Sequence, residues 1–210
     1  MGLYVGNTKY KLMVGGARAT FIVEPMPYDY QVEWLGTNGN VVFNTNYVPN
    51  TYDLYINGKM YYVGYTDTSS WLSWFAAYTN EQASTYRIIR NSTSNTQVLL
   101  YNGRVAGGGG VTAPVTQNAI HTFEFTPTTL KINNNSYSFT KSGNANTGKL
   151  TIFSAKFKGR VYYFQLKKGD ELKLDLIPVV KNGVGCLYNK VDGEIFYNTS
   201  TGTITLGPMI

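Results

Sequence analysis

Apolar and polar residues alternate in short bursts along this chain, and turn-forming residues interrupt the alternation at short intervals. Period-two segments of roughly four to eight residues predict strands. They occur at 31–35, 41–45, 52–56, 71–78, 86–90, 96–101, 121–125, 129–132, 136–139, 150–153, 161–166 and 172–177. The cluster 36–40, the dipeptides Asn57-Gly58 and Asn102-Gly103, and Asn133-Asn-Asn135 supply turns between them. Asn-Gly is the strongest short hairpin signal. The strand at 52–56 is therefore expected to turn at Asn57-Gly58 and return over 59–65, and Pro178 to end the strand at 172–177. On a strand, Trp71, Ser73, Phe75 and Ala77 share one face, and Leu72, Trp74, Ala76 and Tyr78 share the other. Trp71, Trp74 and Tyr78 also fit one short helix. So many short strands predict an all-β sandwich or barrel.

The first 24 residues have a pattern of their own. Leu3-Tyr-Val-Gly-Asn-Thr-Lys-Tyr10 aligns with Leu12-Met-Val-Gly-Gly-Ala-Arg-Ala19 at an offset of nine. Each copy is an apolar run, a Gly-led turn and a basic residue. Residues 1–24 are thus expected to form a small N-terminal β-meander, which cannot bury a core alone. It must pack on the main domain, a sister subunit or another protein. Pro25 and Pro27 stiffen the next stretch and remove two backbone donors, so 25–30 is read as a linker and 31–210 as the sandwich domain.

Composition narrows the chemistry. Charged residues are 14% of the chain, against roughly 25% in ordinary soluble domains. Eighteen tyrosines and 22 glycines suit strands and turns. The net charge is +6, and nine of the 18 basic residues lie between Lys149 and Lys190. No basic run accompanies it, and Lys167-Lys168 is followed by Asp170-Glu171, so a solvated face is expected rather than nucleic-acid binding. One cysteine excludes an internal disulfide framework. No window is long and apolar enough for a membrane helix, and no signal-peptide pattern is present.

Reactive constellations are sparse. Asp192 and Glu194 are the one acidic pair at i, i+2 spacing, and Asp192-Gly-Glu194 reads as a hairpin tip, not as the two opposed carboxylates of a glycosidase. One His and one Cys cannot make the usual clustered metal site. Scattered Asp, Asn and backbone oxygens leave calcium open. His121 and Cys186 read as structural residues on strands. The glycine run at 107–110 lacks the following Gly-Lys-Ser/Thr of a phosphate loop. No cofactor is expected.

The end of the chain reads Ala155-Lys-Phe-Lys-Gly-Arg-Val-Tyr-Tyr-Phe-Gln-Leu166, then Leu174-Asp-Leu-Ile-Pro178, Gly183-Val-Gly-Cys-Leu-Tyr188, Val191-Asp-Gly-Glu-Ile-Phe196, Asn198 and Gly202-Thr-Ile-Thr-Leu-Gly-Pro208. This order resembles the closing strands of concanavalin A/laminin G-like jelly-roll domains in bacteriophage and prophage structural proteins, especially those of gut bacteria. Val32-Glu-Trp-Leu-Gly-Thr-Asn-Gly-Asn-Val-Val-Phe-Asn-Thr45 resembles the opening strand of the same family. Leu176 stands where the family has an aromatic and Asn189 where it has an acid, and Thr199-Ser-Thr-Gly202 alters the last turn.

The resemblance implies a two-sheet antiparallel jelly-roll sandwich, and the residue pattern agrees, with Leu174, Leu176, Leu187, Ile195 and Ile204 expected in the core and Gly185, Gly193 and Gly202 at turns. It implies a non-catalytic virion protein, a head or tail fibre or decoration protein. Residues 1–24 would contact other virion proteins or sister chains, a trimer being the expected form. No nucleic acid and no membrane enter the scheme. A host cell-surface glycan is the expected ligand. Sugars rest on aromatic platforms beside uncharged polar groups, which singles out Trp71, Trp74 and Tyr78 with Asn80 and Asn91. The competing assignment puts Trp71 and Trp74 in the core. The alternative functions are a polysaccharide-degrading enzyme of the same class and a purely assembly role in the particle.

Overall fold

A computed structural model describes residues 2–5, 8–15, 18–49, 53–63, 73–80, 83–91, 94–102, 110–140, 148–154 and 156–210. Among these residues the regular structure is β-strand alone. Strands β1 (Gly2–Val5), β2 (Thr8–Gly15) and β3 (Arg18–Glu24) pair in sequence order as one antiparallel sheet. The remaining strands are β4 (Tyr30–Gln31), β5 (Leu35–Thr37), β6 (Phe43–Asn44), β7 (Leu54–Tyr62), β8 (Ser73–Asn80), β9 (Ala83–Asn91), β10 (Ser94–Asn102), β11 (Gly110–Pro114), β12 (Ala119–Phe125), β13 (Thr129–Ile132), β14 (Asn135–Ser138), β15 (Thr151–Ile152), β16 (Gly159–Lys168), β17 (Glu171–Lys181), β18 (Val184–Asn189), β19 (Ile195–Phe196) and β20 (Ile204–Leu206).

They build two antiparallel sheets. The smaller has six strands in the order β11-β10-β9-β8-β15-β6. The larger has eleven, running β14-β13-β12-β7-β16-β17-β18-β19, with β5 on β16, β20 on β5 and β4 on β17. One core lies between the sheets, which gives the protein its β-sandwich character. The small sheet contributes Phe43, Trp74, Phe75, Ile88, Val98 and Leu100, and the large sheet Ile56, Met60, Phe123, Phe164, Leu176 and Leu187. Phe75 joins the two layers. Its ring stacks on Phe123 at 5.8 Å and meets Phe164 edge-on at 5.4 Å. Such pairs add about 0.5–1.5 kcal/mol beyond the area they bury.

Asn57-Gly58 is not a turn. β7 runs straight through it, with Gly58 opposite Phe123 of β12 on one side and Phe164 of β16 on the other. The two rings lean over the glycine, their centroids 6.4 Å apart. A Cβ on Gly58 would lie 2.5 Å from Phe123 and 3.0 Å from the Tyr163 carbonyl. Pairing along both edges, and the need for ring space, override the local hairpin preference. The dipeptide that does turn is Asn182-Gly183, between β17 and β18. Both residues have positive φ, 51° and 73°, as a two-residue type I′ connection requires.

Pro178 does not end β17. The strand pairs with β16 up to Leu176 and with β4 from Val179, both along one edge, while β18 occupies the other edge from Leu176 to Lys181. Pro178 sits where one partner gives way to the next, and its carbonyl accepts the Val32 N–H at 3.2 Å. A residue's N and O point to the same side of a strand, so the missing N–H falls at the switch between partners, where proline is tolerated.

The closing glycines differ in role. Gly193 has φ +84° and makes a turn, whereas a Cβ on Gly185 would meet Leu35, Ile204 and Leu206 within 2.9 Å. Gly202 donates its N–H to the Asn40 carbonyl at 2.6 Å, too close for a side chain. Close approach, not turning, requires glycine at these last two sites. Leu174, Leu176 and Leu187 are buried, while Ile195 and Ile204 are partly buried at the margins.

Residues 25–30 are packed as well as connecting. Tyr28 is buried on the outer side of the large sheet with Val179, Cys186 and Tyr188, its ring 5.1 Å from Tyr188 in a T-shaped pair. The Asp29 N–H donates to the Val180 carbonyl at 2.8 Å, leading into β4. This strap ties the end of the first three strands to β17.

Gly58→Ala is expected to lower stability by about 1–3 kcal/mol, the range for overpacking a core. Urea unfolding followed by tyrosine and tryptophan fluorescence measures it. An unchanged midpoint would contradict the placement of Phe123 and Phe164 over this residue.

Candidate functional site

Of the residues singled out as a sugar platform, Trp74 lies in the core, and Asn80 and Asn91 fall near opposite ends of β9. Trp74 is 0% exposed. Tyr62 (6.0 Å), His121 (5.9 Å) and Phe123 (5.7 Å) surround its ring, so no face is left for a ligand and the core assignment holds. The cause is the sandwich itself, because residues 73–77 are buried on both faces of β8. Trp71 lies outside the described residues. Tyr78 and Asn80 are at the end of β8, where Asn80 pairs with Ala83, the first residue of β9. Asn91 is the last residue of β9. Eight residues of strand separate those ends by about 26 Å.

His121 is a structural residue. It is 3% exposed. Its Nε2 donates to the Thr116 carbonyl at 2.8 Å, and its Nδ1 accepts from Asn133 Nδ2 at 3.2 Å. The amide of Asn133 is oriented in turn, because its Oδ1 accepts the Thr122 N–H at 3.0 Å. Cys186 is fully buried. Burial pushes its thiol up to about 11, against a smaller opposing effect of Lys181 and with a further upward push from Asp29. That is the reverse of an activated nucleophile. Asp192 and Glu194 form a tight turn in which the Glu194 N–H donates to Asp192 Oδ1 at 2.9 Å. Glu194 is engaged by Asn46 Nδ2 at 2.9 Å, and Asn46 Oδ1 accepts from Lys149 at 2.9 Å.

The surface with a consistent chemical character is the outer face of the large sheet. It arises from the alternation in β7. Leu54, Ile56, Gly58, Met60 and Tyr62 point to the core, so Tyr55, Asn57, Lys59 and Tyr61 point outward. Register then aligns the outward residues of neighbouring strands. Tyr61 lies between Ile120 of β12 and Arg160 of β16, Lys59 between Thr122 and Tyr163, and Asn57 between Glu124 and Gln165. A bulge between Val161 and Tyr163 inserts Tyr162 and re-aims the residues after it.

Three rows result. The first is aromatic and cationic. The Arg160 guanidinium sits 4.1 Å from the Trp34 ring centroid and 4.8 Å from that of Tyr61. Trp34 can lie flat there because Gly36 and Gly207 beneath it carry no side chain. A Cβ on Gly207 would come within 2.9 Å of the indole. The second row holds Lys59, whose ammonium stands 4.7 Å over the Tyr162 ring. The third is a ladder of polar groups. Asn57 Nδ2 donates to Gln165 Oε1 at 3.2 Å, Gln165 Nε2 donates to Asp175 Oδ1 at 3.0 Å, and Lys190 is 3.3 Å from Asp175 Oδ2. Lys131 pairs with Glu124 at 3.3 Å beside it. Tyr55 (44% exposed) and Ile120 (46%) sit at the margins of the face.

Aromatic rings, amides and a few cations on one flat face can hold a polar ligand by stacking and hydrogen bonding. Sequence reading missed this face because a turn at Asn57-Gly58 splits β7 in two. The legible signal was the unbroken alternation from Leu54 to Tyr62, matched by Arg160, Tyr163, Gln165 and Lys167 in β16.

Trp74→Ala is expected to cost about 3–5 kcal/mol of stability, as for a large core aromatic. Tyr61→Ala on the outer face should cost about 1 kcal/mol or less. Thermal unfolding of both variants compares them. Cys186 gives a pH signature. The folded thiol keeps its proton above pH 9, where the unfolded one ionises, so its contribution is complete below about 9 and is lost between about 9 and 11. Stability of the wild type should therefore fall more steeply over that window than that of Cys186→Ala, measured by urea unfolding at a series of pH values.

No protein-family model and no curated protein matches this sequence, so the functional reading rests on the fold and on the chemistry of this face.

Proposed function

We propose that this protein is a non-catalytic structural component of a bacteriophage particle, a head or tail fibre or decoration protein. On this reading its sandwich is a concanavalin A-like jelly roll that displays a lectin-like surface to host glycans. The observation that carries the reading is the outer face of the large sheet. Trp34, Tyr61, Tyr163, Asn57 and Gln165 share that face, and rings beside amides are the groups that hold sugars. The sequence motifs of the closing strands support the same reading. Their order serves to bury Leu174, Leu176 and Leu187 and to allow close backbone approach at Gly185 and Gly202. Their carboxylates are engaged in turns and ladders rather than facing one another across a groove.

The end of the sandwich nearest β3 is suited to assembly. Met26, Tyr30, Met209 and Ile210 line an open pocket of about 250 Å³ there, and Met209 is 70% exposed. Val184, Ile204 and Leu206 line a second, of about 360 Å³. A sister chain or another particle protein would cover such apolar groups, with residues 1–24 providing the anchor. A trimer is the form proposed.

Two measurements test this. The purified chain is applied to immobilised bacterial surface polysaccharides, and the same mixtures are assayed for new reducing ends. Retention without cleavage is expected. Release of reducing ends would replace the reading with that of a polysaccharide-degrading enzyme, and no retention on any polysaccharide would leave assembly as the function. Analytical ultracentrifugation is expected to give about three times 23.4 kDa for the whole chain and a monomer for residues 25–210. An unchanged mass after truncation would refute the anchor.

A further inference from the structure

Arg160 has a configuration that the sandwich does not need. Its guanidinium lies against two rings, Trp34 and Tyr61. It is half-buried, and among the described residues no acceptor takes its N–H groups. A guanidinium lying over aromatic rings can keep its edge, with the fork of donors, available to an acceptor. A planar fork held in this way matches one partner best, the two oxygens of a carboxylate.

The charges around it point the same way. Glu124, Asp175 and Glu171 already face lysines of their own, Lys131, Lys190 and Lys173. Among the described residues no carboxylate faces Lys59, Arg160 or Lys167, each on the outward side of β7 or β16. Lys59 lies two residues along β7 from Tyr61, the partner of Arg160, which is about 7 Å. Lys167 lies four residues beyond Tyr163, the partner of Lys59, or about 13 Å further. Three cations spread over about 20 Å suit a polymer with an occasional negative charge. Nucleic acid carries a phosphate every 3.4 Å or so along each strand, and on this face it would also lie against Glu124 and Asp175.

The geometry points to an acidic polysaccharide as the ligand of this face, with a uronic- or sialic-acid carboxylate received by the Arg160 fork and further carboxylates met by Lys59 and Lys167. This rests on the reading of the face as a glycan surface and adds the charge class of the glycan. Tyr61, Trp34 and Ile120 then border the sugar ring that bears the carboxylate.

The test uses the whole chain and four probes at one low ionic strength: polygalacturonate, its carboxyl-reduced neutral form, polysialate and single-stranded DNA. Wild type should bind polygalacturonate, polysialate or both at least about tenfold more tightly than the neutral form, the scale of one charge-assisted bidentate contact. Which of the two binds identifies the source of the carboxylate. Arg160→Gln should abolish that preference. Arg160→Lys should not restore it, because an ammonium has the charge without the fork. Lys59→Gln should weaken acidic polymers and leave the neutral one unchanged. Thermal unfolding verifies that each variant is folded. Equal binding of acidic and neutral polymers, or an Arg160→Gln variant that keeps the preference, would overturn the inference and leave the glycan surface standing. Tighter binding of DNA, lost in Arg160→Gln, would overturn it in favour of nucleic acid. Binding to none of the probes would overturn the glycan reading itself, and this inference with it.

Discussion

The sandwich depends on one contact made possible by an absent side chain. Gly58 lies in the middle of β7, in the middle of the larger sheet, and Phe123 and Phe164 from the strands on either side close over it. Phe75 of the opposite sheet packs against both rings. A Cβ at position 58 would press into the Phe123 ring, on which Phe75 is stacked. Interiors packed near crystal density do not absorb such a change without moving backbone. Trp74, Tyr62 and His121 extend the same aromatic layer, and the Asn133 amide fixes the His121 ring in place.

The inside of β7 sets the outside. Because the strand passes Asn57-Gly58 without turning, Tyr55, Asn57, Lys59 and Tyr61 emerge in line on the solvent side, opposite their counterparts on β12 and β16. The aromatic–cation row and the amide ladder exist only in that register. A one-residue slip would bury them. The glycines under Trp34 do a related job, since Gly36 and Gly207 give the indole a floor and thereby hold it against Arg160.

How much of this was legible in the sequence varies with the range of the deciding interaction. Alternation located most strands, including the long pair at 161–166 and 172–177, because burial on one face acts residue by residue. Turn chemistry failed where tertiary pairing outweighed it. Asn57-Gly58 and Asn182-Gly183 are the same dipeptide. Only the second lies between two strands free to fold back on each other, whereas the first is clasped along both edges. Pro178 stayed within β17 because the strand changes partners there. The glycan platform at Trp71, Trp74, Tyr78, Asn80 and Asn91 was drawn from proximity along the chain, and Trp74 is enclosed in the core instead. The outer face gathers residues from 34, 61, 120 and 160, a grouping created by register alone.

The bridge between Val32 and Met209, with β20 alongside β5, joins the two ends of the sandwich sequence. Contacts so far apart in the chain set the pace of folding, because the entropy of closing the loop is lost before the contact stabilises anything. β5 is made before β20, and the edge that β20 covers remains open until residues 204–209 have been made. Over that interval the nascent chain carries an unpaired strand edge, of the kind that associates with other chains.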